Sequence, residues 1–319
     1  MKPASMPLQS RPALEAKSIP DPWPADQAVV IKSRVNDVLL LIKPRITIMV
    51  LLTVAIGYFV AVQGKPQWLP FLHALLGISA VAASSSILNQ WMERSSDRLM
   101  KRTENRPLPG GRILPWVALG WGLLLGSAGV VYLYFMVNPI TAWLTAWTLV
   151  SYSMIYTPLK RVTAWNTVVG AISGAMPPLL GFAAGAGYLN WAAWSLFAIL
   201  FVWQFPHFWA IAWMYREDYG RAGLWMLPNV DQEDGRFTGR WMMKTTLLLI
   251  VVSLLPAVIG LAGMIYFIGA WILGIFFLWS THRFWQAPSY PRARQTLLAS
   301  VLYLPALLLL LLANGTFWG

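Results

Sequence analysis

Nine stretches of this chain are apolar over lengths close to the roughly 20 residues a helix needs to cross a bilayer. They fall at approximately 46–63, 68–90, 115–136, 139–157, 163–185, 191–214, 243–262, 264–281 and 296–314. None shows the alternating period of a barrel strand, so each is expected to be a helix. The expected fold class is therefore all-α: a polytopic membrane protein with nine transmembrane helices. Of the 319 residues, 57% are hydrophobic and only 11% charged, which leaves little polar surface for a water-soluble domain.

The charged residues are distributed in a pattern that orients the chain. Apart from Lys65, every Lys and Arg falls in the N-terminal segment up to Arg45 or in alternate loops. The positive-inside rule puts those loops and the N-terminus in the cytoplasm, and the C-terminus outside. An odd number of spans follows, because removing one would scatter the basic loops to both faces. A net charge of +12 invites a nucleic-acid reading. That reading fails because the charge sits in short loops beside spans, so no nucleic-acid partner is expected. The absence of cysteine excludes disulfides, thiolate metal sites and a cysteine nucleophile. Trp68, Trp116, Trp191 and Trp241 lie at expected helix ends, as an interfacial belt requires.

Residues 1–37 are polar and rich in proline and are expected to form a flexible cytoplasmic tail, followed by one membrane domain over 38–319. No compact apolar core with a small-residue cleavage site follows the start, so no secretory signal is expected. Glu15, Asp21 and Asp26 weigh against a transit peptide.

The chemistry-bearing segment is Asn89–Arg112. Asn89, Glu93 and Asp97 are spaced i, i+4, i+8, which places three oxygen-bearing side chains on one helical face, about 6 Å of rise apart. Arg98, Lys101, Arg102, Arg106 and Arg112 follow closely. Carboxylates suit a hard divalent cation, and guanidinium and ammonium groups suit the outer oxygens of a phosphate ester bound to it. The bland alternative is an orienting basic loop whose acids merely balance its charge.

Other polar residues concentrate toward the same side. Ser84, Ser85, Ser86 and Gln90 end the second run; Ser151, Tyr152, Ser153 and Tyr156 end the fourth; Thr163, Asn166 and Thr167 begin the fifth; Gln204 and His207 lie in the sixth. Polar groups inside spans are costly and usually face the bundle interior. A pocket open to the cytoplasm is expected. A channel or carrier would need polar residues through the full thickness, which the outer half lacks. Gln204, His207, Ile211, Met214 and Asp218 follow one helical stripe, with His207 about 16 Å deeper than Asp218 if the helix is continuous. The alternative for His207 is a packing histidine bonded to a neighbouring carbonyl. Lys160 and Arg161 serve either as orienting charges or as a phosphate clamp. Aromatic side chains lining the pocket, Trp203 among them, would favour a carbocation through their π faces.

Four ordered motifs carry a resemblance: N-x-x-x-E-x-x-x-D-x-x-M-x-R-T-x-x-R-P-L-P from Asn89, Y-T-x-x-L-K-R-x-T-x-x-N from Tyr156, W-Q-x-P-H-F-W from Trp203, and D-Y-x-x-A-G-x-x-M-L-P from Asp218. Over residues 38–314 the chain resembles the UbiA superfamily of intramembrane prenyltransferases, and within it the haem-farnesylating branch. The resemblance implies helices around a central cavity with a lateral opening to lipid. It also implies transfer of farnesyl from farnesyl diphosphate to a vinyl group of haem B, with addition of water, giving haem O for haem–copper oxidase assembly. Mg²⁺ is the implied cofactor, held by Glu93, Asp97 and Asp218, with Asn89 in the same motif. Arg98, Lys101, Arg102, Arg106, Lys160 and Arg161 would bind the diphosphate; Tyr156, Asn166, Trp203, Gln204 and His207 would line the haem and prenyl pocket. The implied partners are the bilayer and a downstream haem A synthase or oxidase-assembly factor. Two departures stand out: Glu93 replaces the usual middle Asp, and Ala222 stands where a second Asp usually follows Asp218. A quinone-precursor prenyltransferase is the alternative within the superfamily; a haem transporter is the alternative outside it.

Overall fold

The computed structural model describes residues 35–316. Most of the expected tail lies outside the described residues. A helix, α1 (Val35–Ile42), opens the described part. It is followed by α2 (Pro44–Ala61), α3 (Trp68–Asp97), α4 (Pro115–Met136) and α5 (Pro139–Val150). The chain continues through a π-helical turn, Ser151–Tyr156, into the single turn α6 (Thr157–Leu159). Then come α7 (Asn166–Ala186), α8 (Trp191–Met214), α9 (Arg216–Arg221), α10 (Leu227–Val230), α11 (Arg236–Ser253), α12 (Leu255–Val258), α13 (Met264–Gln286) and α14 (Tyr290–Asn314).

Among the described residues, 8 helical spans are long and apolar enough to cross a membrane, with α11 and α12 forming one of them. The protein is an integral membrane protein. The remaining expected span, 139–157, is helical but divided into three pieces by the π turn. Such turns widen a helix locally and often mark functional sites.

Helix boundaries follow local chemistry. Proline stands in the first turn of α2, α4, α5 and α14, where its missing N–H costs nothing. Asn138 caps α5 by accepting from the Thr141 N–H, and Asn190 caps α8 by accepting from Ala192 and Ala193. The four tryptophans expected at the interfaces are all exposed, from 39% for Trp241 to 80% for Trp191.

Inside a bilayer the solvent is as apolar as leucine, so helices associate through close packing rather than the hydrophobic effect. The seam between α2 and α7 illustrates this. A Cβ on Gly57 would lie 2.1 Å from the Pro178 carbonyl oxygen, and one on Gly181 would lie 1.8 Å from that of Val54. Only hydrogen fits at these two positions. α4 packs along α3, while α8, α11, α13 and α14 form a second group joined to the first mainly through α7 and α8.

Candidate active site

The site is built on the last two turns of α3. Glu93 and Asp97 are buried there, together with Asn89 and Gln90. A buried carboxylate needs a partner, and each finds a different one. Lys160, which follows α6, donates from Nζ to Glu93 Oε1 at 2.7 Å, with both side chains only slightly exposed. Arg106 donates from Nη1 to Asp97 Oδ2, also at 2.7 Å. The other oxygen, Asp97 Oδ1, is buried and has no hydrogen-bond partner among the described residues. Asn89 donates from Nδ2 to Thr157 Oγ1, which ties α3 to α6, directly after the π turn.

Lys160 also sits over the Tyr156 ring, 4.5 Å from its centroid. Burial works against its charge, but the Glu93 carboxylate and the nearby Tyr156 and Tyr152 outweigh burial and hold its pKa well above the usual lysine value. It is a fixed cation. Lys43, the residue before α2, belongs to the same electrostatic group. Burial, then repulsion from Arg106 and Lys160, lowers its pKa to about 8 against the opposing pull of Glu93 and Asp97. Its backbone is in the left-handed region, φ 50°, because it joins α1 to α2 with no spare residue between them. Counted with the N-terminal charges, it drew no notice in the sequence. The Lys-Pro-Arg triplet at the start of a span was the available signal.

Three loops close around this centre. Arg102 donates to Tyr219 Oη at 3.3 Å, with its guanidinium over the Tyr215 ring. Arg221 reaches the Leu99 carbonyl at 3.4 Å. The Trp225 N–H donates to the Lys160 carbonyl, and Asn166 Nδ2 to the Trp225 carbonyl. Arg161 donates to Ser95 and Ser96. The segments around 95–112, 160–166 and 215–225 are thereby joined although they are far apart in sequence.

Several expected residues are placed differently. Arg98 is committed to the Pro109 carbonyl, and Lys101 is exposed, with no ion pair to it among the described residues. The stripe through Gln204, His207 and Asp218 is interrupted: α8 ends at Met214, and Asp218 belongs to α9, where it pairs with Arg221 one turn on. Among the described residues no three His, Cys, Asp or Glu side chains gather closely enough to hold a metal ion, so Glu93, Asp97 and Asp218 do not form one three-carboxylate cluster. The α8–α9 break and the insertion of Lys160 beside Glu93 account for this. Mg²⁺ needs fewer protein ligands, since it keeps waters and takes substrate phosphate oxygens. The unpartnered Asp97 oxygen and the adjacent Glu93 suit it. Gln204 donates to the Ala171 and Leu200 carbonyls and is packed against α7. Asn166 holds a loop, as described. His207 faces the other way, toward α14: its Nδ1 is 2.8 Å from Ser300 Oγ and its ring stacks on Trp203 at 4.5 Å. Ser300 was not among the expected residues, since nothing distinguishes it within an apolar run.

The arrangement offers buried carboxylate oxygens ringed by cations at the mouth of a helical bundle. Residues 50–304 match the UbiA prenyltransferase family. The chain is 48% identical over 288 residues to a protoheme IX farnesyltransferase of Solibacter usitatus, covering 88% of this chain and 98% of that protein. It is 43% identical over 303 residues to one of Koribacter versatilis, covering 90% and 95%. Among solved structures it resembles a digeranylgeranylglyceryl phosphate synthase, with a TM-score of 0.75 at 19% identity, covering 88% of this chain and 97% of that one. It also resembles a UbiA homologue from Archaeoglobus fulgidus bound to DMAPP and Mg²⁺, with a TM-score of 0.60 at 16% identity, covering 86% and 99%. On the match over most of its length, this chain belongs to the UbiA prenyltransferase family.

Proposed function

We propose that the protein transfers the farnesyl group of farnesyl diphosphate to a vinyl group of haem B, with addition of water, to give haem O. The observation that carries the diphosphate half is the buried Asp97 with one oxygen unpartnered, beside the Glu93–Lys160 pair and Arg106. The acceptor half rests on the name shared by relatives at 40% identity and above. Mg²⁺ held by Glu93 and Asp97 would supply Lewis-acid neutralisation of the leaving group. The protein's own cations do the rest of the binding. Arg106, Lys160, Arg161 and Lys43 take phosphate oxygens, exchanging their present acceptors for the diphosphate. Asp218, on α9, works at the mouth together with Arg102.

The allylic C–O bond breaks, and its electron pair leaves with the diphosphate. The farnesyl carbon bonds to the vinyl group, and water captures the resulting cation and releases a proton. The neighbouring Tyr152 and Tyr156 rings, tilted to one another beside Lys160, favour the transient carbocation through their π faces. The site lies on the cytoplasmic face of a bacterial cytoplasmic membrane, with the divided helix at 139–159 as the ninth span and the C-terminus outside. Haem O then passes to a haem A synthase or an oxidase-assembly partner.

The test is mass spectrometry of porphyrins extracted after incubating the purified protein with haem B, farnesyl diphosphate and Mg²⁺, with and without EDTA. A metal-dependent product carrying farnesyl plus water is expected. Unmodified haem from protein that still binds farnesyl diphosphate would redirect the assignment to another acceptor, such as a quinone precursor.

A further inference from the structure

His207 belongs to a relay whose proton positions are determined. Ser300 Oγ donates its one proton to the Leu297 carbonyl at 2.6 Å. It therefore has no proton for His207 and must accept from it. The 2.8 Å contact to Nδ1 is an Nδ1–H donating to Ser300 Oγ. The neutral imidazole consequently carries its lone pair on Nε2. That atom has no hydrogen-bond partner among the described residues and is not among the buried polar atoms left without one, so it retains accessible surface.

The ring is also fixed in orientation. Trp203 stacks on it, and the Trp203 indole N–H donates to the Ser300 carbonyl at 2.9 Å. Ser300 is wholly buried, so α14 acts as a rigid backing. A neutral imidazole with Nδ1–H anchored to an oxygen and Nε2 left open is the form in which histidine ligates metals, the anchoring acceptor setting tautomer and orientation. His73 also sets its Nδ1 against an oxygen, Tyr132 Oη at 2.6 Å, but that hydroxyl's proton is committed to no other acceptor among the described residues, which leaves its tautomer open. His207 lies far from the carboxylates of α3 in sequence and on the opposite helix group.

We propose that His207 Nε2 is an axial ligand to the iron of the haem substrate, and that Ser300 is its positioning residue. This rests on the haem-farnesylating reading above. It gives the acceptor a docking point of its own, on α8 and α14, separate from the diphosphate site on α3.

The test is titration of ferric haem into the purified full-length protein in lipid nanodiscs, followed by Soret absorption and electron paramagnetic resonance. The wild type is expected to give an imidazole-ligated spectrum. His207→Gly should lose it, and millimolar imidazole should restore it, which also establishes that the variant is folded. Ser300→Ala should weaken haem affinity by about tenfold or more, the usual effect of losing an outer partner of a ligating histidine, and Ser300→Thr should recover it. A His207→Gly spectrum identical to wild type overturns the ligand assignment, and unchanged affinity in Ser300→Ala overturns the positioning role. Wild-type protein that farnesylates haem yet gives no imidazole signature overturns this proposal alone. Protein that neither binds nor modifies haem overturns the functional reading with it.

Discussion

The two acidic loops look alike in sequence: each leads from a span into acids, then arginine, then Leu-Pro. In three dimensions they use their charges differently. Two acids of the first are buried and paired beyond their own helix: Glu93 with Lys160, 67 residues away, and Asp97 with Arg106 in the following loop, with one Asp97 oxygen left over. Those of the second are committed locally. Asp218 pairs with Arg221 one turn on, and Glu233 pairs with Arg240 in the open. Asp231 accepts from the Thr238 backbone and hydroxyl and thereby holds the start of α11. A local pair stabilises its own loop and little else. A buried long-range pair holds charge in reserve at a fixed place, which is what a site for a departing diphosphate requires.

The contrast is sharpest at Asp97. Asp97→Asn removes the charge at the unpartnered oxygen and should lower haem O formation by about 10² to 10³, the usual effect of losing one preorganised electrostatic group; product assays with membranes of matched protein content measure it. An active variant would remove the first loop from the chemistry. Next comes Lys160→Met, which leaves Glu93 buried and unpaired and should cost about 3–5 kcal/mol of stability. Adding Glu93→Gln should recover most of the thermal stability in detergent but not the activity. If the double variant stays as unstable as the single one, the pair is not what holds α3 to the 160 segment.

A pH series tests Lys43. Because its pKa is lowered to about 8, it loses its charge as pH rises through that value, whereas an ordinary lysine keeps it to about 10.5. The KM for farnesyl diphosphate should therefore rise several-fold above pH 8, and Lys43→Arg should flatten that rise, since guanidinium stays charged. In the window between about 8 and 10.5 the unfolded chain binds the additional proton, so this group's contribution to stability increases with pH. A KM that does not change from pH 7 to 9.5 would place Lys43 outside the diphosphate site. The smallest effect of all is expected at Glu233. Glu233→Gln, in an exposed pair worth well under about 1 kcal/mol, should leave turnover within twofold, and Asp218→Asn should cost about tenfold through the mouth of the site. An Asp218 effect as large as that of Asp97 would erase the distinction between the loops.

The helices were legible in the sequence because a bilayer allows few solutions. An apolar run of about 20 residues must satisfy its own backbone, and only a helix does so within one segment. The spacing of Asn89, Glu93 and Asp97 needed nothing beyond 3.6 residues per turn. Periodicity fails where the helix is broken, at Tyr215: spacing aligns Asp218 with His207 although a new helix begins between them. It also treats Gln204 and His207 as one face. The first is packed against α7 and the second against α14, because residues three apart on a central helix can touch different neighbours.

What the sequence by itself determined is the membrane, the helical class and the stretch of α3 that bears the carboxylates, all consequences of short-range periodicity and solvent. Which cation meets which carboxylate, the recruitment of Lys43, the oxygen of Asp97 left unpartnered and the proton on His207 were decided by tertiary structure alone. Apart from the Asp97–Arg106 pair, each depends on groups brought together across tens of residues, and pairing at that distance is settled by how helices pack.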